Sequence, residues 1–117
     1  MATILKTKKE EDIVREGGRR LAFVLAETAK AVAPGVLTKT LDELAEKLIR
    51  DKGDIPAFLN YTPDGASKPY PATLCVSVNN EVVHGIPGNR ELKEGDIVGL
   101  DLGLKHKGLF VDAAVTV

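Results

Sequence analysis

One cysteine, two histidines, no tryptophan and 4% aromatic residues deny this 117-residue chain several kinds of chemistry. Cys75 alone can form neither an internal disulfide nor a cysteine-based zinc site, and it fits a reducing compartment. With a net charge of -1 the chain lacks the basic excess of a nucleic-acid binder. No apolar run approaches the roughly eighteen residues of a transmembrane helix. The first residues lack the apolar core of a secretory signal. A cytoplasmic chain with neither membrane nor nucleic acid as partner is the expectation. Two catalytic devices are also missing. Gly17-Gly18 sits inside a helical pattern, so it is no phosphate-cradling loop. Ser67 and Ser77 lack the strand–turn–helix setting of a nucleophile elbow.

What remains is an ordinary globular composition, 44% apolar and 28% charged, long enough for one cored domain over residues 1–117. From Glu10 to Ala31 the apolar residues Ile13, Val14, Leu21, Val24 and Leu25 recur at helical spacing, with acidic residues at the start where they complement the helix dipole. Gly17-Gly18 costs about 1 kcal/mol per residue relative to alanine, tolerable where something packs closely. Pro34-Gly35 ends this helix. A second follows, with Thr38 or Thr40 as its cap and Thr40 with Glu43 as a capping box. Its stripe is Leu41, Leu44, Ala45, Leu48 and Ile49, and Gly53 closes it. Ile55 to Asn60 reads as extended. Tyr61 to Pro71, with Pro63, Gly65, Pro69 and Pro71, reads as irregular. Thr73 to Val78 alternates like a strand and Asn79-Asn80 turns the chain. Helices followed by strands predict an α+β fold with two helices on one face of an antiparallel sheet.

The last twenty-one residues, from Ile97 to Val117, carry the most chemistry. Two β-rich segments flank Lys105-His106-Lys107-Gly108, a hairpin signal. With His106-Lys107 as the loop, Asp101 lies directly opposite Asp112 on one face, Cβ atoms about 4.5–5.5 Å apart, where like charges repel. Such carboxylates share a proton, bind a cation, or stand solvated on an open face. A three-residue loop with Gly108 in a bulge would move Asp112 out of line. His106, between two lysines at the tip, is expected to be exposed. His84, held between Val83 and Gly85, reads as a hydrogen-bonded loop residue, and Cys75 as a small core hydrophobe or a pocket wall. The apolar run Ala113 to Val117 leaves a strand edge of the kind proteins normally cover. That predicts either part of a larger unit or pairing with a second chain.

Pro34-Gly35-Val36, Cys75-Val-Ser-Val-Asn-Asn-Glu-Val-Val-His-Gly-Ile-Pro87, Glu94-Gly95-Asp96-Ile97-Val98 and the Leu100-Asp101, Val111-Asp112 pairs together resemble the N-terminal half of the type I methionine aminopeptidases. The resemblance implies half of a pita-bread fold, whose two similar α+β halves enclose two divalent metal ions. It implies Asp101 as terminal ligand and Asp112 as bridging ligand, with Mn, Fe, Co or Zn undistinguished. His84 then contacts the substrate near the scissile amide. Phe58, Tyr61, Tyr70 and Cys75 match walls of the methionine pocket, although the loop from Thr62 to Lys68 looks longer than in many members. The implied substrate is the N-terminal methionine of nascent polypeptides. The family's metal-binding histidine and both glutamates match no position in these 117 residues. The expected partner is therefore a complementary C-terminal half, with weak metal binding and little activity without it. The alternative is a non-catalytic half that pairs with a second copy of itself.

Overall fold

A computed structural model describes residues 7–60, 69–79 and 86–117. Helix α1 spans Lys8–Lys30 and α2 spans Thr38–Asp51. The strands are β1 (Ile55–Pro56), β2 (Leu74–Val78), β3 (Val98–His106) and β4 (Leu109–Thr116). All pairings are antiparallel, and β3 is the strand to which the other three bond. β4 runs along β3 from Gly99 to His106. The opposite edge of β3 is shared, by β2 over Val98–Leu102 and by β1 over Leu104–Lys105.

Strand parity divides the labour of the sheet, because alternate side chains point to opposite faces. Val98, Leu100, Leu102 and Leu104 of β3, with Leu74, Val76 and Val78 of β2, are buried. They form one core with Leu21, Val24 and Leu25 of α1 and Leu41, Ala45 and Ile49 of α2. The other face of β3 carries Gly99, Asp101, Gly103 and Lys105.

The helices begin as their local chemistry dictates, though not always as the sequence suggested. Thr7 caps α1, its hydroxyl accepting the Glu10 amide at 3.1 Å. At α2 the expected side-chain cap is absent: Leu37 occupies the cap position and offers no oxygen. The backbone of residues 88–90 takes that role. Gly88 O accepts from Lys39 N at 2.9 Å and Arg90 O accepts from Thr38 N at 3.0 Å. The Thr38 hydroxyl is spent on accepting Gly88 N at 2.8 Å, so tertiary contact has displaced the capping box.

The glycine pair in α1 splits. A Cβ on Gly17 would lie 3.4 Å from His106 Cβ and 3.6 Å from Val111, so this glycine sits where helix meets sheet. Gly18 has nothing within 4 Å of the equivalent position. Gly18→Ala should therefore recover the helix propensity alone and stabilise the chain by about 1 kcal/mol in urea unfolding. A fall in stability would mean that Gly18 serves a contact the fold does not display.

Two carboxylates fasten the connections. Asp42 of α2 accepts Thr73 N at 2.8 Å and Leu74 N at 2.9 Å, tying the start of β2 to the helix. Burial pushes its carboxyl above the ordinary range against the pull of those two amides. Asp96 accepts from the Asn79 side chain at 2.9 Å and from Lys93 N at 2.8 Å. The Asn79 bond, followed by the Lys93 amide, holds its pKa below the usual aspartate value. A depressed folded pKa gives stability that is present above the unfolded value, near 3.9, and lost as pH falls through the folded value.

Candidate active site

The hairpin turn decides the geometry of the two aspartates. Lys107 and Gly108 form the loop, both at positive φ (48° and 88°). This backbone twist suits a two-residue hairpin turn. The loop lies one residue further along than expected, so Asp101 pairs with Ala114 and Asp112 pairs with Gly103. The direct Asp101–Asp112 opposition expected from the sequence is thus corrected. The shift moves the partner by two residues, which preserves the face. The aspartates are diagonal neighbours on the side away from the helices, about 7–8 Å apart at Cα, and direct repulsion is weaker than between opposed residues. Both are exposed.

His106 corrects a second expectation. It is 3% exposed, on the same parity as the core residues Leu100, Leu102 and Leu104, and points under the helices. Its Nδ1 lies 2.7 Å from Asp54 Oδ1. Arg20 Nη1 reaches both Asp54 oxygens at 3.3 Å and also donates to Lys52 O at 2.9 Å. Nothing in the sequence paired Asp54 with His106. Continuing the β3 alternation two residues past Leu104 would have placed the histidine on the buried side.

Around the aspartates the open face assembles several of the expected pocket residues. Cys75 is the cross-strand partner of Asp101, on its face. The Tyr70 phenol stands beside its thiol, and Tyr70 OH donates to Leu74 O at 3.0 Å. Burial, then the neighbouring Cys75 thiol, pushes the Tyr70 phenol well above its ordinary value, so it remains a neutral donor. Burial likewise pushes the Cys75 thiol up. Alkylation of Cys75 by iodoacetamide at pH 8 should run at least about tenfold slower in the native chain than in urea, because the thiolate is the nucleophile. Equal rates by mass spectrometry would contradict a shielded thiol.

Phe58 completes this wall through a missing side chain. A Cβ on Gly103 would stand 3.1 Å from Phe58 Cε1, 3.2 Å from Ala57 Cβ and 3.2 Å from Val111 O. Glycine thereby lets the segment after β1 lie flat on the sheet beside Asp112. Gly103→Ala should overpack this point and cost about 1–3 kcal/mol, read by thermal melting. An unchanged melting temperature would mean that the Phe58 segment yields freely. Tyr61 and His84 lie outside the described residues.

Two carboxylates on one open face offer the hard oxygen donors that divalent cations take. Among the described residues no cluster of three or more histidine, cysteine or acidic side chains could hold a metal ion. Asp101 and Asp112 supply two such side chains on one face of the sheet.

Comparison with known proteins gives the family. The profile of metallopeptidase family M24 matches residues 12–117, which include both aspartates and the whole sheet. The chain belongs to metallopeptidase family M24. Among M24 relatives it is 45% identical over 113 residues to methionine aminopeptidase 1 of Bacillus subtilis, covering 97% of this chain and 43% of that protein. Against the methionine aminopeptidase of Aquifex aeolicus identity is 42% over 118 residues, with coverage of 100% and 46%. The methionine aminopeptidase structure from Thermotoga maritima superposes with a TM-score of 0.88 at 37% identity, over 99% of this chain and 45% of that one. The chain thus spans less than half the length of these M24 relatives. Its two helices on an antiparallel sheet are half of their pita-bread fold. A prolidase from Pyrococcus horikoshii, TM-score 0.76 at 16% identity, shares the fold alone.

Proposed function

We propose that this chain is the N-terminal part of a methionine aminopeptidase that removes the N-terminal methionine from nascent polypeptides. The observation that carries the reading is the shared open face. There Asp101 and Asp112 stand beside Cys75 and Phe58, in a chain 45% identical to a methionine aminopeptidase over nearly all its length.

In this reading Asp101 is a terminal and Asp112 a bridging ligand of two divalent ions. Bound metal would polarise the scissile carbonyl and lower the pKa of water. The chain's own residues bind and orient. Phe58, Tyr61, Tyr70 and Cys75 receive the methionine side chain, and the shielded Cys75–Tyr70 pair keeps that wall uncharged. His84 donates to or accepts from the substrate beside the amide. The remaining ligands come from a complementary C-terminal half.

The test is cleavage of a Met-Ala-Xaa peptide by this chain mixed with the C-terminal half of a close relative, with Mn, Co or Zn supplied. Metal-dependent release of methionine by the mixture, with little from either half alone, is expected. No activity from a pair proven to associate would sink the reading.

A second reading draws on the exposure of the same face. Phe110 is 65% exposed, and β4 bonds only β3 among the described residues. Two copies of the chain could cover each other there as a non-catalytic dimer. Sedimentation giving a folded monomer at high concentration would exclude it.

No helix among the described residues is long and apolar enough to cross a membrane.

A further inference from the structure

Asp42 stands on α2, outside the open face, yet one of its oxygens grips the chain where the pocket wall begins. Its Oδ1 accepts Thr73 N at 2.8 Å and Leu74 N at 2.9 Å, across 31 and 32 residues of sequence. Leu41 and Ala45, both fully buried, seat this turn of α2 in the core, so the acceptor is fixed before the amides reach it. Leu74 is held elsewhere too. Its carbonyl accepts the Tyr70 hydroxyl at 3.0 Å, and its side chain is fully buried. The peptide bonds around Leu74 therefore join α2 to two walls of the pocket, Tyr70 and Cys75, and Cys75 is the cross-strand partner of Asp101. Thr73 shows that this joint is kept at a cost. It is 0% exposed, and its hydroxyl is buried without a hydrogen-bond partner. An orphaned hydroxyl opposes burial. The two hydrogen bonds to Asp42 hold the segment inward against it.

We propose that Asp42 is a positioning residue for the methionine pocket: through the Thr73 and Leu74 amides it sets where Cys75 and Tyr70 stand relative to Asp101. The substrate of that pocket rests on the peptidase reading; the positioning of its wall does not. One carboxylate oxygen has the two lone pairs that converging amides need, and its charge strengthens both bonds. Asp42 itself touches neither substrate nor metal in this reading. A pocket wall contacts the methionine side chain alike in the ground state and the transition state, so losing that contact raises KM and spares kcat. A wall displaced by about 0.5–1 Å already forfeits roughly a quarter to a half of its dispersion contact.

Alkylation of Cys75 by iodoacetamide at pH 8 reads the wall in this chain alone. Asp42→Ala should speed it about three- to tenfold in the folded chain, because the strand entrance is released. Asp42→Asn keeps an oxygen in the same place and should stay within about twofold of the parent. Asp42→Glu keeps the charge but moves the acceptor by one methylene, so it should behave like Asp42→Ala. It reads the same displacement if Asp42→Ala does not fold. Asp54→Ala, at the turn end of β3, should leave the Cys75 rate unchanged despite its loss of stability. In the chain completed with a C-terminal half, Asp42→Ala should raise KM for a Met-Ala-Xaa peptide about three- to tenfold, with kcat within about twofold. Asp42→Asn should restore KM. From an active pair, an unchanged Cys75 rate and KM in Asp42→Ala and Asp42→Glu would overturn the positioning role and leave the peptidase reading standing. A fall in kcat at constant KM would overturn it too, by moving the effect to the metals. So would equal acceleration by Asp54→Ala, which would reduce the effect to lost stability. An inactive parent pair with the Cys75 pattern intact would uphold the clamp and sink the peptidase reading instead.

Discussion

Asp54→Ala is expected to be the most damaging single substitution at a polar position in this chain. The Asp54 side chain is 4% exposed, as is that of His106, its partner at 2.7 Å. Arg20, 26% exposed, bonds the same carboxylate. Removal leaves a buried imidazole nitrogen and a half-buried guanidinium facing a void. Breaking a buried charged pair costs about 3–5 kcal/mol, and the partial exposure of Arg20 points to the lower end of that range. The loss also reaches further than the pair. His106 ends the central strand and sits against Gly17, so its displacement loosens the contact between α1 and the hairpin. Asp54→Asn retains one acceptor for the ring and should cost less, about 1–2 kcal/mol. Urea denaturation decides the matter. A loss below 1 kcal/mol for Asp54→Ala would show that the network contributes little to stability.

Asp112→Ala should do the reverse, leaving the fold intact and removing function. The side chain is exposed and its cross-strand partner is a glycine, so nothing packs against it from the facing strand. Stability without metal should change by no more than about 0.5 kcal/mol. If Asp112 bridges two ions, metal affinity of the completed two-half enzyme should fall by more than about a hundredfold, beyond what loss of a merely supporting residue produces. Isothermal titration with Mn(II) or Co(II) measures it. Unchanged affinity would contradict the bridging role, whereas a large loss of folding stability would make the variant uninformative about ligation and favour a structural role for Asp112. Measured together, the two variants separate the face that holds the chain together from the face proposed to act.

The α+β architecture, both helices, the β2 strand and the hairpin were legible because each rests on local periodicity. Leu41, Ala45 and Ile49 repeat at helical spacing, and the apolar residues of β3 alternate. The placing of both aspartates on one face was legible for the same reason, since parity survives a two-residue shift. Their relative register was not legible. It depends on which pair of residues turns, and that choice is coupled to the burial of His106 beneath the helices. The cap of α2 was hidden similarly, because its acceptors come from residues 88 and 90, some fifty positions along the chain. Asp54 and His106 are 52 residues apart, with nothing local to link them. The motif that pointed to the family was legible as a pattern of residues. The pairing of Cys75 with Asp101 required the sheet.

The clamp formed by Asp42 bears on how the pocket tolerates evolutionary change. Thr73 and Leu74, immediately before Cys75, are fixed to α2 by that one carboxylate. The position of the pocket wall is therefore inherited from a helix, and the chain entering it need only arrive. Lengthening such a connection adds only about 0.6 kcal/mol of closure entropy per doubling. Cys75 thus keeps its register with Asp101 through contacts to α2 and β3 alone.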